Sequence, residues 1–435
     1  MNEQMIRKNN MRIFPIYKMF AWDLLFHYAI IFLFLTQVKG LTAAEVLFTD
    51  SFYAIFRVAF QIFCVKLVDT IGKQKSLLIG NLLVSISILG IILNSSILFL
   101  IFLYFIQAMG YNLKGLCEPT LLHDSIPESS SSSKIYSKID GKGNSLYYIF
   151  DAISAITTGF LYVINPYIPL ILCFICCLIS TILTLAFNEP IKNTSVQTEK
   201  PTGFIEYYKD ILVTFKQIIK SNRLRSLFLF SLCFGGGILC IFGTLRSSIL
   251  VDIGLPEQYF GIIIAAMQVI SSFTASKQNL FHKKLRNRAL SFFALSLTTS
   301  FILVGLIVVC NISFMVSLIS CLITILLVGF IKGPYYTLMQ RYLNSFSNPD
   351  INTKIFAIDS LLANLGRVLL SFFASFLLTI TTTSYAFIII GCIFFTIFIF
   401  LLDYMKTKVG LKPEEYPEED LIFSDEIKKD FGDNP

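Results

Sequence analysis

Asp23 and His27 lie four residues apart inside an apolar run near the start of the chain. In a helix that spacing puts both side chains on one face, and the pair has the chemistry of a proton site. Imidazole titrates near physiological pH, and a desolvated carboxyl is raised toward the same range. A structural hydrogen bond is the other use of this spacing. Further ionisable residues stand inside apolar runs: Asp50, Arg57, Lys114, Glu118, Asp151, Arg246, Lys332 and Arg367. A charge at the bilayer centre costs about 2.5–3.5 kcal/mol on insertion scales and persists mainly where it pairs or lines water. Arg57 and Arg367 sit near the middle of their runs, where a guanidinium fork suits a carboxylate or phosphate. An ion pair with Asp50 or Asp151 would use the same fork. Lys114 and Glu118, again four apart, either neutralise each other or face a cavity. Together the cations point toward an anionic or zwitterionic ligand.

Helical spacing gathers the polar residues into stripes. One carries Asp50, Arg57 and Gln61, and a second Gln107, Tyr111, Lys114 and Glu118. A third aligns Tyr147, Asp151, Ser154, Thr158 and Tyr162, and a fourth Ser360, Asn364, Arg367 and Ser371. The candidate cavity set is therefore Asp23, His27, Arg57, Gln61, Gln107, Tyr111, Lys114, Glu118, Asp151, Lys332, Asn364 and Arg367.

The elements that must position these residues are long apolar segments. The chain is 55% hydrophobic and only 14% charged, with 43 Phe and one Trp, a composition foreign to a soluble domain of this length. A spanning helix needs about 20 mainly apolar residues. Twelve stretches qualify: 16–36, 46–66, 76–93, 97–120, 144–163 and 167–187, then 224–248, 257–276, 289–309, 313–340, 355–378 and 383–403. The runs are continuous, which favours helices over the alternating strands of a barrel. Most of the 35 Lys and Arg fall in the termini or in every second loop, and the intervening loops hold only Lys39. By the positive-inside rule both termini are expected on the cytoplasmic side of the plasma membrane. The net charge of +7 is then a topological signal, and no nucleic-acid partner is expected. Arg7, Lys8 and Arg12 before the first run imitate a secretory signal, but that run is too long and lacks a cleavage site, so it reads as a retained helix.

The expected division is a six-helix bundle over 1–187, a cytoplasmic linker over 188–223, a second bundle over 224–404 and an acidic cytoplasmic tail over 405–435. The halves echo each other. Gly110, Lys114 and Gly115 precede Asp140, as Gly329, Lys332 and Gly333 precede Asp359, the signature of a parallel repeat. Nine of the ten Cys fall inside spans, with Cys310 directly after one, and they read as small apolar fillers. No metal site, cofactor motif or nucleophile signature appears, so an enzyme is not expected.

The loop Leu67-Val68-Asp69-Thr70-Ile71-Gly72-Lys73-Gln74-Lys75 resembles the signature loop of the major facilitator superfamily. Its Asp, Gly and basic positions match, while the family's leading Gly is absent. The resemblance implies an all-α membrane protein of twelve transmembrane helices in two six-helix bundles. It further implies helices 1, 4, 7 and 10 around a cavity, with 3, 6, 9 and 12 against lipid. That agrees with the charge distribution, since the third, sixth, ninth and twelfth spans carry no charge until Asp403. The family's Arg-containing helix 4 pattern, associated with proton coupling, is missing, and so is its Gly-Pro-rich helix 5 pattern, associated with drug and proton antiporters, so drug antiport loses support.

The implied function is secondary active transport of a small solute by alternating access, coupled to protons or another ion, by a monomer in the lipid bilayer. Export of lipophilic compounds and a non-transporting, transporter-like receptor are the alternatives. For an inner gate, Asp69 is expected at the amino end of the eleventh span, with Gly72 turning the loop and Lys73 or Lys75 meeting Asp359. By symmetry Asp140 would face Lys283 or Arg286.

Overall fold

The computed structural model of the chain describes residues 3–127, 132–189, 221–276, 288–345 and 349–406, with 215, 216 and 285 besides. Among them every regular element is helical. In chain order these are α1 (Glu3–Ala21), α2 (Ile31–Leu33, continued by a π turn Phe34–Val38), α3 (Ala43–Ile71), α4 (Lys73–Leu93), α5 (Ile97–Ser125), α6 (Ser132–Ile164) and α7 (Ile168–Thr184). There follow α8 (Asn222–Phe230), a π segment Ser231–Ile238, α9 (Leu239–Ile253), a 3-10 turn Glu257–Tyr259, α10 (Phe260–Ser276), α11 (Arg288–Val309), α12 (Phe314–Ser345), α13 (Pro349–Ile380) and α14 (Thr383–Met405).

Eight helices of the described residues are long and apolar enough to cross a membrane. α3 makes a ninth, its axis turning by 51° between Gln61 and Phe63. The other three expected spans depart from the simple picture. The sixth and eighth are helices of 17 residues, Ile168–Thr184 and Phe260–Ser276. The first, expected as one helix over 16–36, is interrupted from residue 22 to residue 30. Most of the linker and nearly all of the tail lie outside the described residues.

Local chemistry accounts for several boundaries. Thr42 and Glu45 form a reciprocal capping box at the start of α3, which satisfies two amide groups that the first helical turn leaves without partners. Gly72 alone joins α3 to α4 with φ +91°, a backbone region that side chains disfavour. Glu189 accepts from the Gln74 amide at 2.7 Å, an anion placed on the positive end of α4.

The chain divides into two compact units. The first holds Met1–Glu45, Phe52–Tyr207 and Glu257–Ala265. Its buried core at one end is aromatic: Phe14, Tyr17 and Phe187 pack with Leu77, Cys117 and Leu121, and the Tyr17 and Phe187 rings meet edge to face at 5.3 Å. The second unit holds Val46–Ser51, Tyr208–Pro256 and Ala266–Pro435. Here the π segment is pressed against α13. A Cβ on Gly236 would lie 1.9 Å from the Ala363 carbonyl oxygen, and one on Gly366 would lie 2.1 Å from that of Leu232. The Gly235–Gly237 run thus serves a contact in which main chain touches main chain, and it also lies in a widened helical turn of the kind often found at functional sites.

Candidate functional site

The interruption after α1 organises the polar residues of the first unit. No Gly or Pro occurs from residue 22 to residue 30, yet Phe26 adopts φ +62° and the helix resumes only at Ile31. The backbone groups this releases are taken up locally. Lys114 donates to the Ala21 carbonyl, and the Asp23 carboxylate accepts from the Leu24 amide at 2.9 Å. The Ile30 and Ile31 amides both bond the His27 carbonyl, at 3.1 and 2.9 Å. Non-helical backbone at membrane depth is tolerated only where it is buried in protein or lines water.

Asp23 Oδ1 also accepts from two phenols, Tyr28 at 2.8 Å and Tyr111 at 3.0 Å. Tyr111 is the hub. Its ring carries the Lys114 ammonium at 5.0 Å and the Arg57 guanidinium at 5.9 Å, within the range of cation–π attraction. Asn112 donates to the Arg57 carbonyl at 2.9 Å, fixing α3 against α5 beside it. The resulting cluster of one carboxylate, two phenols and two cations comes from the break, α3 and α5. Tyr28 was not among the residues expected; five positions from Asp23, it shares no helical face with it and left no periodic signal.

His27 does not join the cluster. It is buried, its ring meets Tyr28 edge-on at 5.3 Å, and neither ring nitrogen has a hydrogen-bond partner among the described residues. The four-residue relation to Asp23 required a continuous helix, which the break removes. Lys114 and Glu118 form no direct ion pair among the described residues, although the Lys114 charge acts on the Glu118 carboxyl. Glu118 accepts from Tyr17 at 2.7 Å, and the Tyr17 oxygen accepts from Asn81 at 3.1 Å. Gln107 and Asp151 are buried in the same unit, with exposures of 5% and 6%. Gln61 is half-buried on α3, without a hydrogen bond among the described residues.

The gate residues fall as follows. Lys73 forms an ion pair with Asp124, and Asp140 with Lys18. Asp69 and Lys75 are exposed. Lys283 and Arg286, the partners expected for Asp140, lie outside the described residues. In the second unit the Asp359 carboxyl interacts with the Ser231 hydroxyl, and its Oδ1 is buried with no hydrogen-bond partner among the described residues.

That unit has a polar cluster of its own. Arg367 grips Asp50 with both arms of its fork, the Nε to Oδ2 distance being 3.1 Å. The Cys240 thiol lies within the electrostatic reach of Arg367, Asp50 and Lys332, which places Lys332 of α12 nearby. Asn364 bonds its own helix, donating to the Ser360 carbonyl at 2.9 Å. Of the two uses open to Arg367, ligand or ion pair, the structure shows the ion pair. No group of three or more potential metal ligands occurs among the described residues.

With this geometry in view, a model of the Major Facilitator Superfamily matches residues 19–345. Among solved structures, a mutant of the nucleoside transporter NupG superposes with a TM-score of 0.70 at 12% identity, over 92% of this chain and 99% of that one. A D-xylose-proton symporter gives 0.68 at 13% identity, over 92% and 98%. A POT family transporter in complex with 5-aminolevulinic acid gives 0.65 at 16%, over 92% and 95%. No curated protein sequence matches the chain.

Proposed function

This chain belongs to the Major Facilitator Superfamily and is a multi-pass membrane transporter rather than an enzyme, and from that premise we propose that it moves a small solute by alternating access, driven by protons. The observation that carries the proposal is the break between α1 and α2 with Asp23 at its centre. Discontinuous helices are where transporters of several folds place substrate and coupling ions, because freed backbone groups and helix ends supply fixed partial charges. Asp23 has a short, donor-rich surround of two phenols and an amide. These donors come from the break itself and from α5, so a movement between those elements would change the surround of the Asp23 carboxylate. Lys114, held on the Ala21 carbonyl over the Tyr111 ring, links that surround to the end of α1.

The proposal places the protein in the plasma membrane as a monomer with both termini cytoplasmic, on the strength of the basic loops. A structural neighbour that is a proton symporter is consistent with protons as the coupling ion.

The test uses proteoliposomes loaded with a pH-sensitive dye and challenged with organic anions, amino acids, sugars and lipophilic cations. A solute-dependent proton flux in the wild type that disappears in Asp23→Asn is the expected result. Counterflow of the same labelled solute should survive in Asp23→Asn, because exchange needs no net proton movement. A flux that persists in the variant removes Asp23 as the coupling site. Binding without exchange in the wild type makes the protein a receptor and refutes transport.

A further inference from the structure

Arg246 stands outside both clusters. It lies on α9 in the second unit with 6% of its surface exposed, and a guanidinium keeps its proton in any protein environment. Its Nε has no hydrogen-bond partner among the described residues, and the contact made by Nη1 is a 3.9 Å approach to the Met267 sulfur, a weak acceptor. Burial is the only influence the described residues exert on its charge; no carboxylate contributes. A buried cation without a counter-charge is among the most expensive things a fold can hold. The neighbours on its helix do not relieve it: Ser247 bonds back to the Gly243 carbonyl at 3.2 Å, and Ser248 is engaged with Thr383 at 2.7 Å.

A second observation bears on the same face. One turn before Arg246, a Cβ built on Gly243 meets nothing within 4 Å. Residues three apart are neighbours on a helix surface, so α9 has open space one turn before Arg246. The other face of the same region is packed tightly, for a Cβ on Gly329 would lie 2.5 Å from the Met267 carbonyl oxygen.

We infer that Arg246 is the binding residue for a compact oxyanion, a carboxylate or phosphate group of the transported solute. The inference rests on the transport reading only in making that anion cargo. The planar fork suits either group, donating two parallel charge-assisted hydrogen bonds to its oxygens. Lipid headgroups are a poor source, because the side chain is covered by protein.

The experiment is thermal unfolding of the purified protein in neutral detergent, titrated with succinate, inorganic phosphate or sorbitol at matched ionic strength. Wild type should show a saturable rise in Tm with at least one of the two anions and none with sorbitol. Arg246→Met should unfold at a higher temperature than wild type without ligand, because an uncompensated buried charge is gone, and should show no anion response. Arg246→Lys should keep the response at about tenfold higher half-saturation, the loss of one of two parallel bonds.

An undiminished anion response in Arg246→Met, a response to sorbitol, or none to either anion would overturn the inference. Stabilisation by added phosphatidylglycerol but by neither soluble anion would assign the site to lipid and overturn it too. Labelled-solute counterflow separates this result from the transport reading. Exchange of a neutral solute that Arg246→Met leaves intact removes the anion site alone, whereas anion binding without exchange removes transport alone.

Discussion

The ion pair between Asp50 and Arg367 can be dismantled by a double-mutant cycle. At the 3.1 Å Nε to Oδ2 separation, and with an effective dielectric near 20, the Coulomb attraction is about 5 kcal/mol before any opposing terms. Each side chain keeps roughly a quarter of its surface exposed, 26% and 25%, so solvent screening and the desolvation of both groups remove much of that. We expect Asp50→Asn and Arg367→Gln each to lower stability by about 2–3 kcal/mol, since each strands the opposite charge. The double variant should fall by about 3 kcal/mol, leaving a coupling of about 1–3 kcal/mol. That exceeds the average of about 0.6 kcal/mol for interhelical hydrogen bonds in membranes, because both arms of the guanidinium are engaged and both partners are charged. Reversible unfolding in mixed detergent micelles, followed by circular dichroism, measures the four corners of the cycle. The exchanged variant, Asp50→Arg with Arg367→Asp, should recover part of the loss. If the single losses add to the double within about 0.5 kcal/mol, and the exchange recovers nothing, the pair does not stabilise the unit as argued.

Three further outcomes are expected. Tyr111→Phe should lower stability by about 1 kcal/mol through the lost hydrogen bond to Asp23, and Tyr111→Ala by distinctly more, because the ring under Lys114 and Arg57 goes as well; thermal unfolding compares them, and equal losses would deny the ring a role. Gly236→Ala should be destabilising by about 3 kcal/mol or more, since its Cβ would strike a main-chain oxygen at 1.9 Å, whereas Gly243→Ala, facing open space, should be neutral or up to about 1 kcal/mol stabilising. The same unfolding assay ranks the two, and the reverse order would contradict the packing of α13 against the π segment. The single tryptophan, Trp22 at the edge of the break, carries the Lys18 ammonium 4.1 Å from its ring; Lys18→Met should therefore change its emission spectrum, and an unchanged spectrum would mean that the contact is not populated.

Much of the fold was legible in the chain itself. Continuous apolar runs, basic residues in alternate loops and the Asp69 to Lys75 turn identify a polytopic helical protein of a known superfamily, because lipid imposes length and charge rules that each segment obeys independently. The site was legible only in part. Asp23, Arg57, Tyr111 and Lys114 were found by their charge or by their place on a stripe, and the structure draws them together.

What tertiary structure alone decided is which of the possible pairs exist. The Asp23–His27 pair failed because residues 22–30 contain no breaker, yet the helix stops there; the opening is sustained by Lys114 and by the phenols of Tyr28 and Tyr111, each reaching from elsewhere in the fold or across the break. Lys114 and Glu118 satisfy the four-residue rule on α5, but an ammonium over an aromatic ring and a free helix-end carbonyl offered a better partner. Arg246 was one charge among nine in the apolar runs, and only packing showed it buried with no ion pair among the described residues. Local spacing states which contacts are allowed within a helix. The choice between them depends on neighbours hundreds of residues away, whose side chains compete for the same donors and acceptors.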